Sequence, residues 1–261
     1  MRKGYASSIE WRVKRTVSDQ EFIRDMQLIL DNAKANNVIL RLIGSIATRI
    51  HSESARAQVI PRALTDIDFV GYSSQSQDII GLFQKLGYSA NEEFNTFHGK
   101  ERLQFFGKDG IHIDVFLDTL SMCHKLDLRG RLELDYPTIP LTDLLMTKLQ
   151  IVELNEKDVK DMICLLHDHE ISDKDLPEKI NGKYLADVCS RDWGMYKTFT
   201  MNLGRVLAYV DKLGQDDVMH DHVTKQCKTL RDHIDQTPKT TKWKLRARVG
   251  EKKRWYGLPE D

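Results

Sequence analysis

The run Leu64-Thr65-Asp66-Ile67-Asp68-Phe69-Val70, with Gly44-Ser45 upstream and Ile113-Asp114-Val115-Phe116 downstream, constrains this chain more than any other feature. The run is apolar and β-branched around its two acids, so it reads as a strand, where residues two apart project from the same face. Asp66 and Asp68 therefore share a face. His112-Ile113-Asp114-Val115-Phe116 alternates in the same way, and pairing that strand beside the first would bring Asp114 into a cluster of three carboxylates. At roughly 4 Å and an effective dielectric near 20, each like-charged pair costs about 4 kcal/mol. Such a cluster calls for cations, and its hard oxygen donors suit two Mg²⁺ or Mn²⁺ ions better than zinc.

The chain has 261 residues, enough for one large domain or two modest ones. Its 39 basic and 39 acidic residues balance, so net charge does not point to a polyanionic partner. Their distribution does: Lys239, Lys242, Lys244, Arg246, Arg248, Lys252, Lys253 and Arg254 face the single acid Glu251, with Trp243, Trp255 and Tyr256 among or beside them. Cys123, Cys164, Cys189 and Cys227 show no C-x-x-C spacing and read as reduced thiols, which fits a cytoplasmic setting. After Met1-Arg2-Lys3-Gly4-Tyr5 no apolar stretch of signal-peptide length follows. No run approaches the roughly 20 apolar residues of a membrane span, so no membrane association is expected.

The pattern divides the chain near residue 140. Ser18-Asp19-Gln20-Glu21 is a capping-box pattern opening a helix with Phe22, Met26, Ile29 and Ala33 at helical spacing. Val38 to Ile43 reads as a central strand ending at Gly44, with a helix-compatible segment from Ser45 to Ile50. A helix over Asp78 to Leu86 stops at Gly87. Strands over Arg102 to Phe106 and Ile111 to Phe116 are joined by a Lys108-Asp109-Gly110 turn. Beyond Pro140 helical patterns occupy approximately 141–154, 156–168, 183–190, 195–213 and 216–234. The expected fold class is α+β, a small mixed sheet with flanking helices over 1–140 followed by a helical domain with a basic tail over 141–261.

The ordered set Gly44-Ser45, Asp66-x-Asp68, Asp114, Lys148 and Lys157-Asp158-x-x-Asp161 resembles the nucleotidyltransferase superfamily of the DNA polymerase β type, in particular the bacterial abortive-infection toxin nucleotidyltransferases. The resemblance covers about residues 38 to 166. It implies that Gly44 and Ser45 start a helix beneath a nucleoside triphosphate, and that Asp66, Asp68 and Asp114 hold two divalent ions, Asp114 near the attacking hydroxyl. It further implies transfer of a nucleoside monophosphate to an acceptor, with pyrophosphate released. The toxin likeness and the basic tail point to RNA, such as a tRNA end, and to an antitoxin protein as a partner. Twenty residues separate Ser45 from Asp66, more than in compact members, and Arg49, assigned here to the nucleotide, His51 and Arg62 lie among them.

Each residue also has a plainer reading. A lone D-x-D is more often solvated than catalytic, and Gly44-Ser45 alone is an ordinary strand-to-helix turn. A phosphate reading adds that backbone N–H groups and the positive helix end favour an anion there. Lys148 falls inside the apolar stripe Leu141, Leu144, Leu145, Leu149 and Val152, so it either snorkels to solvent or directs its ammonium at phosphates. Lys157, Asp158 and Asp161 read better as an exposed charged face. His167, His169, His220 and His222 read as surface residues, His112 as a structural residue on the Asp114 face, and Asp118 as a turn residue. Lys242, Lys244, Arg246 and Arg248 are the RNA-contact candidates, while the tail's tryptophans either dock on the protein or stack on nucleic acid. Two rivals stand beside an RNA-modifying enzyme: transfer to a small hydroxylated molecule of the aminoglycoside type, and a fold that only binds nucleic acid or a partner. The second rival requires a damaged site, and all three acids are present.

Overall fold

A computed structural model describes residues 18–107, 110–213 and 217–258. Helix α1 (Asp19–Ala35) opens on the expected capping box: the Ser18 backbone N–H donates to Glu21 Oε2 at 2.8 Å and the Glu21 N–H to Ser18 Oγ at 3.3 Å. Its stripe Phe22, Met26, Ile29, Leu30 and Ala33 is buried. Then come β1 (Leu40–Ile43), α2 (Gly44–His51), α3 (Glu53–Arg56), β2 (Ile67–Gly71), α4 (Ser76–Lys85), β3 (Ser89–Ala90), α5 (Glu92–His98), β4 (Arg102–Phe106) and β5 (His112–Leu117). The five strands form one mixed sheet in the order β1-β2-β5-β4-β3. Strand β2 runs parallel to β5, and the other neighbours are antiparallel. Of the expected Lys108-Asp109-Gly110 turn, the first two residues lie outside the described ones, as does Met1 to Tyr5.

A small hairpin, β6 (Thr119–Ser121) with β7 (Lys125–Asp127), leads into the helices α6 (Leu141–Leu149) and α7 (Glu156–Asp168). Helices α8 (Gly182–Arg191), α9 (Trp193–Leu213), α10 (Asp217–Gln236) and α11 (Thr241–Val249) complete the chain. One departure from the sequence expectation is a parallel ladder of β8 (Glu170–Ser172) and β9 (Lys179–Asn181) inside the helical half. At three residues each, these strands are too short to show a period. The fold is α+β, a small mixed sheet flanked by helices and followed by a helical part. A single apolar core runs from Phe22 through Phe69, Phe105 and Leu145 to Phe199 and Ile234, so the helices close over the sheet's core. No helix among the described residues is long and apolar enough to cross a membrane.

The four cysteines are free and buried, and burial pushes the Cys164 thiol up to about 11. Asp118 is a turn residue as expected. With φ at +60° its carboxylate accepts from the Ser73 N–H at 3.0 Å and from Ser73 Oγ at 2.6 Å. His169 departs from its surface expectation: it is buried, with Nδ1 3.2 Å from the carbonyl of Glu178. His220 is paired at the surface with Asp211 at 2.8 Å.

Candidate active site

The site forms where β1 passes into α2. Gly44 has φ of +71°, and a Cβ built on it would lie 2.4 Å from Asp68 Oδ2. Glycine is thus required twice, for a left-handed backbone and for the carboxylate lying over it. The next turn begins α2 with no side chain capping its N-terminus. Ser45 is buried and its hydroxyl makes no hydrogen bond. The positive end of α2 is therefore directed at the acids rather than closed by a cap.

The strand register assembles the acids. Ile43 lies opposite Asp68 across β1 and β2, and Asp68 lies opposite Asp114 across β2 and β5. Asp66 immediately precedes β2. The three carboxylates line one cleft of about 360 Å³, together with Gly44, Arg102, Phe116, Lys148 and Asp158. Desolvation, then the charges of Asp66 and Asp114, push the Asp68 carboxyl up to about 8 against the opposing pull of Lys148 and Arg102. Asp114 is buried, with Oδ1 accepting from Arg102 Nε at 2.7 Å and Oδ2 3.4 Å from His112 Nδ1. Arg102 in turn stacks over Phe94 at 5.4 Å and Phe116 at 5.0 Å. No three His, Cys, Asp or Glu side chains among the described residues stand together as a ready-made ion site.

Lys148 neither snorkels nor stands free. It is buried on α6, with Nζ 2.9 Å from Asp158 Oδ1 and 3.1 Å from Asp161 Oδ2. The two carboxylates outweigh desolvation and hold it as an ammonium, with its pKa raised. This corrects the exposed-face reading of Asp158 and Asp161, which are both buried because the charged side of α7 packs on α6. Asp161 also faces Arg62 Nε at 3.5 Å. Lys148 and Asp158 still line the cleft.

Other assignments move away from the cleft. Arg49, assigned to the nucleotide from the sequence, does not line the cleft: it pairs with Asp19 at 2.6 Å and donates to the Arg62 carbonyl at 2.7 Å. His51 is likewise engaged, with Nδ1 2.9 Å from Glu178 and Nε2 2.5 Å from Thr138. The last turn of α2 thus commits its basic side chains to packing contacts. In the tail, Lys242, Lys244 and Arg248 are exposed, whereas Arg246 donates to the carbonyls of Gly250 and Lys253 at 2.7 Å each. Trp255 docks on the protein, its Nε1 donating to Thr198 Oγ1 at 3.0 Å.

The sequence reading misses Arg102 and the carboxylates that hold Lys148. A signal for the second is present: Asp158 and Asp161 are spaced i, i+3 on one helix face, next to a helix with a lysine in its apolar stripe.

No family model matches the chain, and no curated protein does. Among solved structures, the chain is similar to the antibiotic-resistance factor ANT(2'')-Ia at 12% identity, over 55% of this chain and 82% of that one, with a TM-score of 0.39. It is similar to the lincosamide antibiotic adenylyltransferase LnuA at 15% identity, over 56% and 94% of the two chains, with a TM-score of 0.40. A nucleotidyltransferase-like protein from Paracoccidioides brasiliensis shares 11% identity over 87% of this chain and 97% of its own, with a TM-score of 0.40.

Proposed function

We propose that this protein is a metal-dependent nucleotidyltransferase that moves a nucleoside monophosphate from an NTP to an acceptor hydroxyl, with RNA as the acceptor. The observation that carries the reading is one cleft lined by Asp66, Asp68 and Asp114, with Asp68 lying over Gly44 at the uncapped start of α2. The cleft lining also carries five acids, Asp66, Asp68, Asp114, Glu153 and Asp158, against the two cations Arg102 and Lys148. A polyanionic triphosphate enters such a cleft only with accompanying cations. The oxygen donors and the raised Asp68 carboxyl fit Mg²⁺ or Mn²⁺, held by Asp66, Asp68 and Asp114. Bound there, two such ions supply Lewis-acid stabilisation of the charge developing on the phosphates.

The chain's own groups do the rest. The backbone N–H groups at Gly44 and Ser45, with the Ser45 hydroxyl, receive the β- and γ-phosphates. Lys148, fixed by Asp158 and Asp161, presents a permanent positive charge at the edge of the cleft. The acceptor oxygen forms a bond to the α-phosphorus in line with the bond that breaks to the bridging oxygen. Pyrophosphate leaves with that electron pair, and the carboxylate of Asp114 takes up the hydroxyl proton. Positioning and charge compensation account for most of the catalysis. The toxin resemblance adds an antitoxin protein as a partner and the cytoplasm as the setting.

The test is to incubate the purified chain with each NTP labelled at the α-phosphorus, Mg²⁺ and total cellular RNA, with an aminoglycoside in a parallel reaction. Labelled RNA that disappears with EDTA and with Asp66→Asn is the expected result. Label on the aminoglycoside alone replaces the acceptor. No transfer, together with no NTP-dependent rise in melting temperature in Mg²⁺, refutes the activity.

A further inference from the structure

The basic, aromatic segment after α10 is stapled to the helical part and still leaves a cavity. Trp255 meets Trp193 edge to face at 6.2 Å, and the Gly257 N–H donates to the Cys123 carbonyl at 2.8 Å. The Arg246 guanidinium lies 4.7 Å above Trp193 while it holds the Gly250 and Lys253 carbonyls. Between this rigid segment, α11 and the start of α9 remains a cavity of about 310 Å³, with Lys242, Trp243, Arg254 and Tyr256 in its wall.

The charges in that wall are unequally committed. Asp192, the acid of the lining, accepts the Met195 N–H at 2.9 Å, and Arg191 is paired with Asp187 at 2.5 Å. Lys242 and Arg254 are exposed and have no carboxylate partner among the described residues, and Arg254 lies 5.9 Å over the Tyr256 ring. The cavity adjoins the candidate active site. Cys123 lines both this cavity and the carboxylate cleft, and Gly257 lines both this cavity and a neighbouring one of about 240 Å³ walled by Arg102 and Phe116.

We propose that this cavity binds an acceptor strand, a single-stranded nucleic acid held by one or two phosphates on Lys242 and Arg254 and by an unstacked base against Trp243 and Tyr256. Two uncommitted cations beside aromatic faces in a concave wall match the needs of an unpaired strand. A duplex presents only its phosphates, and its stacked bases cannot enter. The cavity lies beside the carboxylate cleft, with Cys123 in both linings, so the inference rests on the nucleotidyl-transfer reading and names its acceptor site.

The test measures fluorescence anisotropy of the full chain with end-labelled single-stranded RNA, DNA of the same sequence, and the RNA duplex, over a salt series. Lys242→Ala/Arg254→Ala should weaken single-strand binding about tenfold and reduce its log–log salt slope by about 1.4, the value for two lost phosphate contacts. Binding of either single strand supports the site, and the RNA-to-DNA ratio assigns the sugar that it reads. Equal affinity in parent and double variant, preference for the duplex, or no binding overturns it. The melting shift with NTP and Mg²⁺, measured on both proteins, separates the two proposals. Loss of strand binding with the shift retained removes only the acceptor site. A parent that binds strand through these residues but shows no NTP shift removes only the transferase reading.

Discussion

Replacing Asp68 by Asn should stabilise the metal-free protein, and the gain should grow with pH. Desolvation, reinforced by the charges of Asp66 and Asp114, moves the Asp68 carboxyl from 3.8 to about 8, so between these values the folded state holds a proton that the unfolded chain releases. Stability must therefore fall as pH rises through this window and level off above it. Each pH unit corresponds to about 1.4 kcal/mol, which gives about 4 kcal/mol between pH 5 and pH 8. The cleft admits water that screens part of this, so about 2–4 kcal/mol is the expected range. Asn cannot ionise, so Asp68→Asn should lack this decline. Urea denaturation at pH 5, 6, 7 and 8 in EDTA measures the difference directly, and added Mg²⁺ should recover part of the loss in the parent alone. A parent–variant difference that is flat with pH, or an Asn variant less stable at pH 8, would refute the account of a buried carboxyl in a repulsive cluster.

Two further substitutions address the neighbours of that carboxylate. Gly44→Ala places a methyl group 2.4 Å from Asp68 Oδ2 at φ of +71°, adding about 1–2 kcal/mol of backbone strain alone. Calorimetry should show the lowered Tm, and the Mg²⁺-dependent melting shift with NTP should disappear; a retained shift would free Asp68 from its place over Gly44. Lys148→Met leaves Asp158 buried without a cation and Asp161 with only the more distant Arg62, so a loss of about 3–5 kcal/mol is expected rather than neutral packing. Adding Asp158→Asn and Asp161→Asn should restore much of the Tm, and an unchanged Tm in the single variant would mean that the ion pairs contribute nothing.

Elements with a strong period are legible in the amino-acid sequence alone. The alternation through Asp66, Asp68 and Asp114 locates β2 and β5, and the Ser18–Glu21 pair locates the start of α1. The register is conditional, because alternation fixes which face an acid occupies but not which strand lies beside it. Arg102 escapes for the same reason. It appears in the sequence only as the first residue of a strand, and the β4–β5 pairing sets it across from Phe116 and within reach of Asp114. Asp158 and Asp161 lie off the apolar stripe of α7, and single-helix logic sends such residues to water. Packing of α7 against α6 overrides it, since a buried lysine on one helix makes carboxylates on the other favourable. Arg246, an RNA-contact candidate from the sequence, also holds main-chain carbonyls, a type of partner that sequence spacing does not encode.

What the structure adds is a charge arrangement with a direction. Lys148 is held by two carboxylates and only partly offsets the Asp66–Asp68–Asp114 cluster, and the cleft keeps an excess of acids at the place where a polyanionic nucleotide would have to lie. Across the wall formed by Cys123, the neighbouring cavity has the reverse balance, Arg191, Lys242, Arg246 and Arg254 against Asp192. An anionic strand is repelled from the metal-free cleft and attracted to the basic cavity. Once cations neutralise the cleft, both surfaces favour phosphate and the barrier between them falls. On the proposed reading, strand binding should be independent of Mg²⁺ while transfer depends on it, so EDTA should abolish labelling of the strand and leave its affinity unchanged.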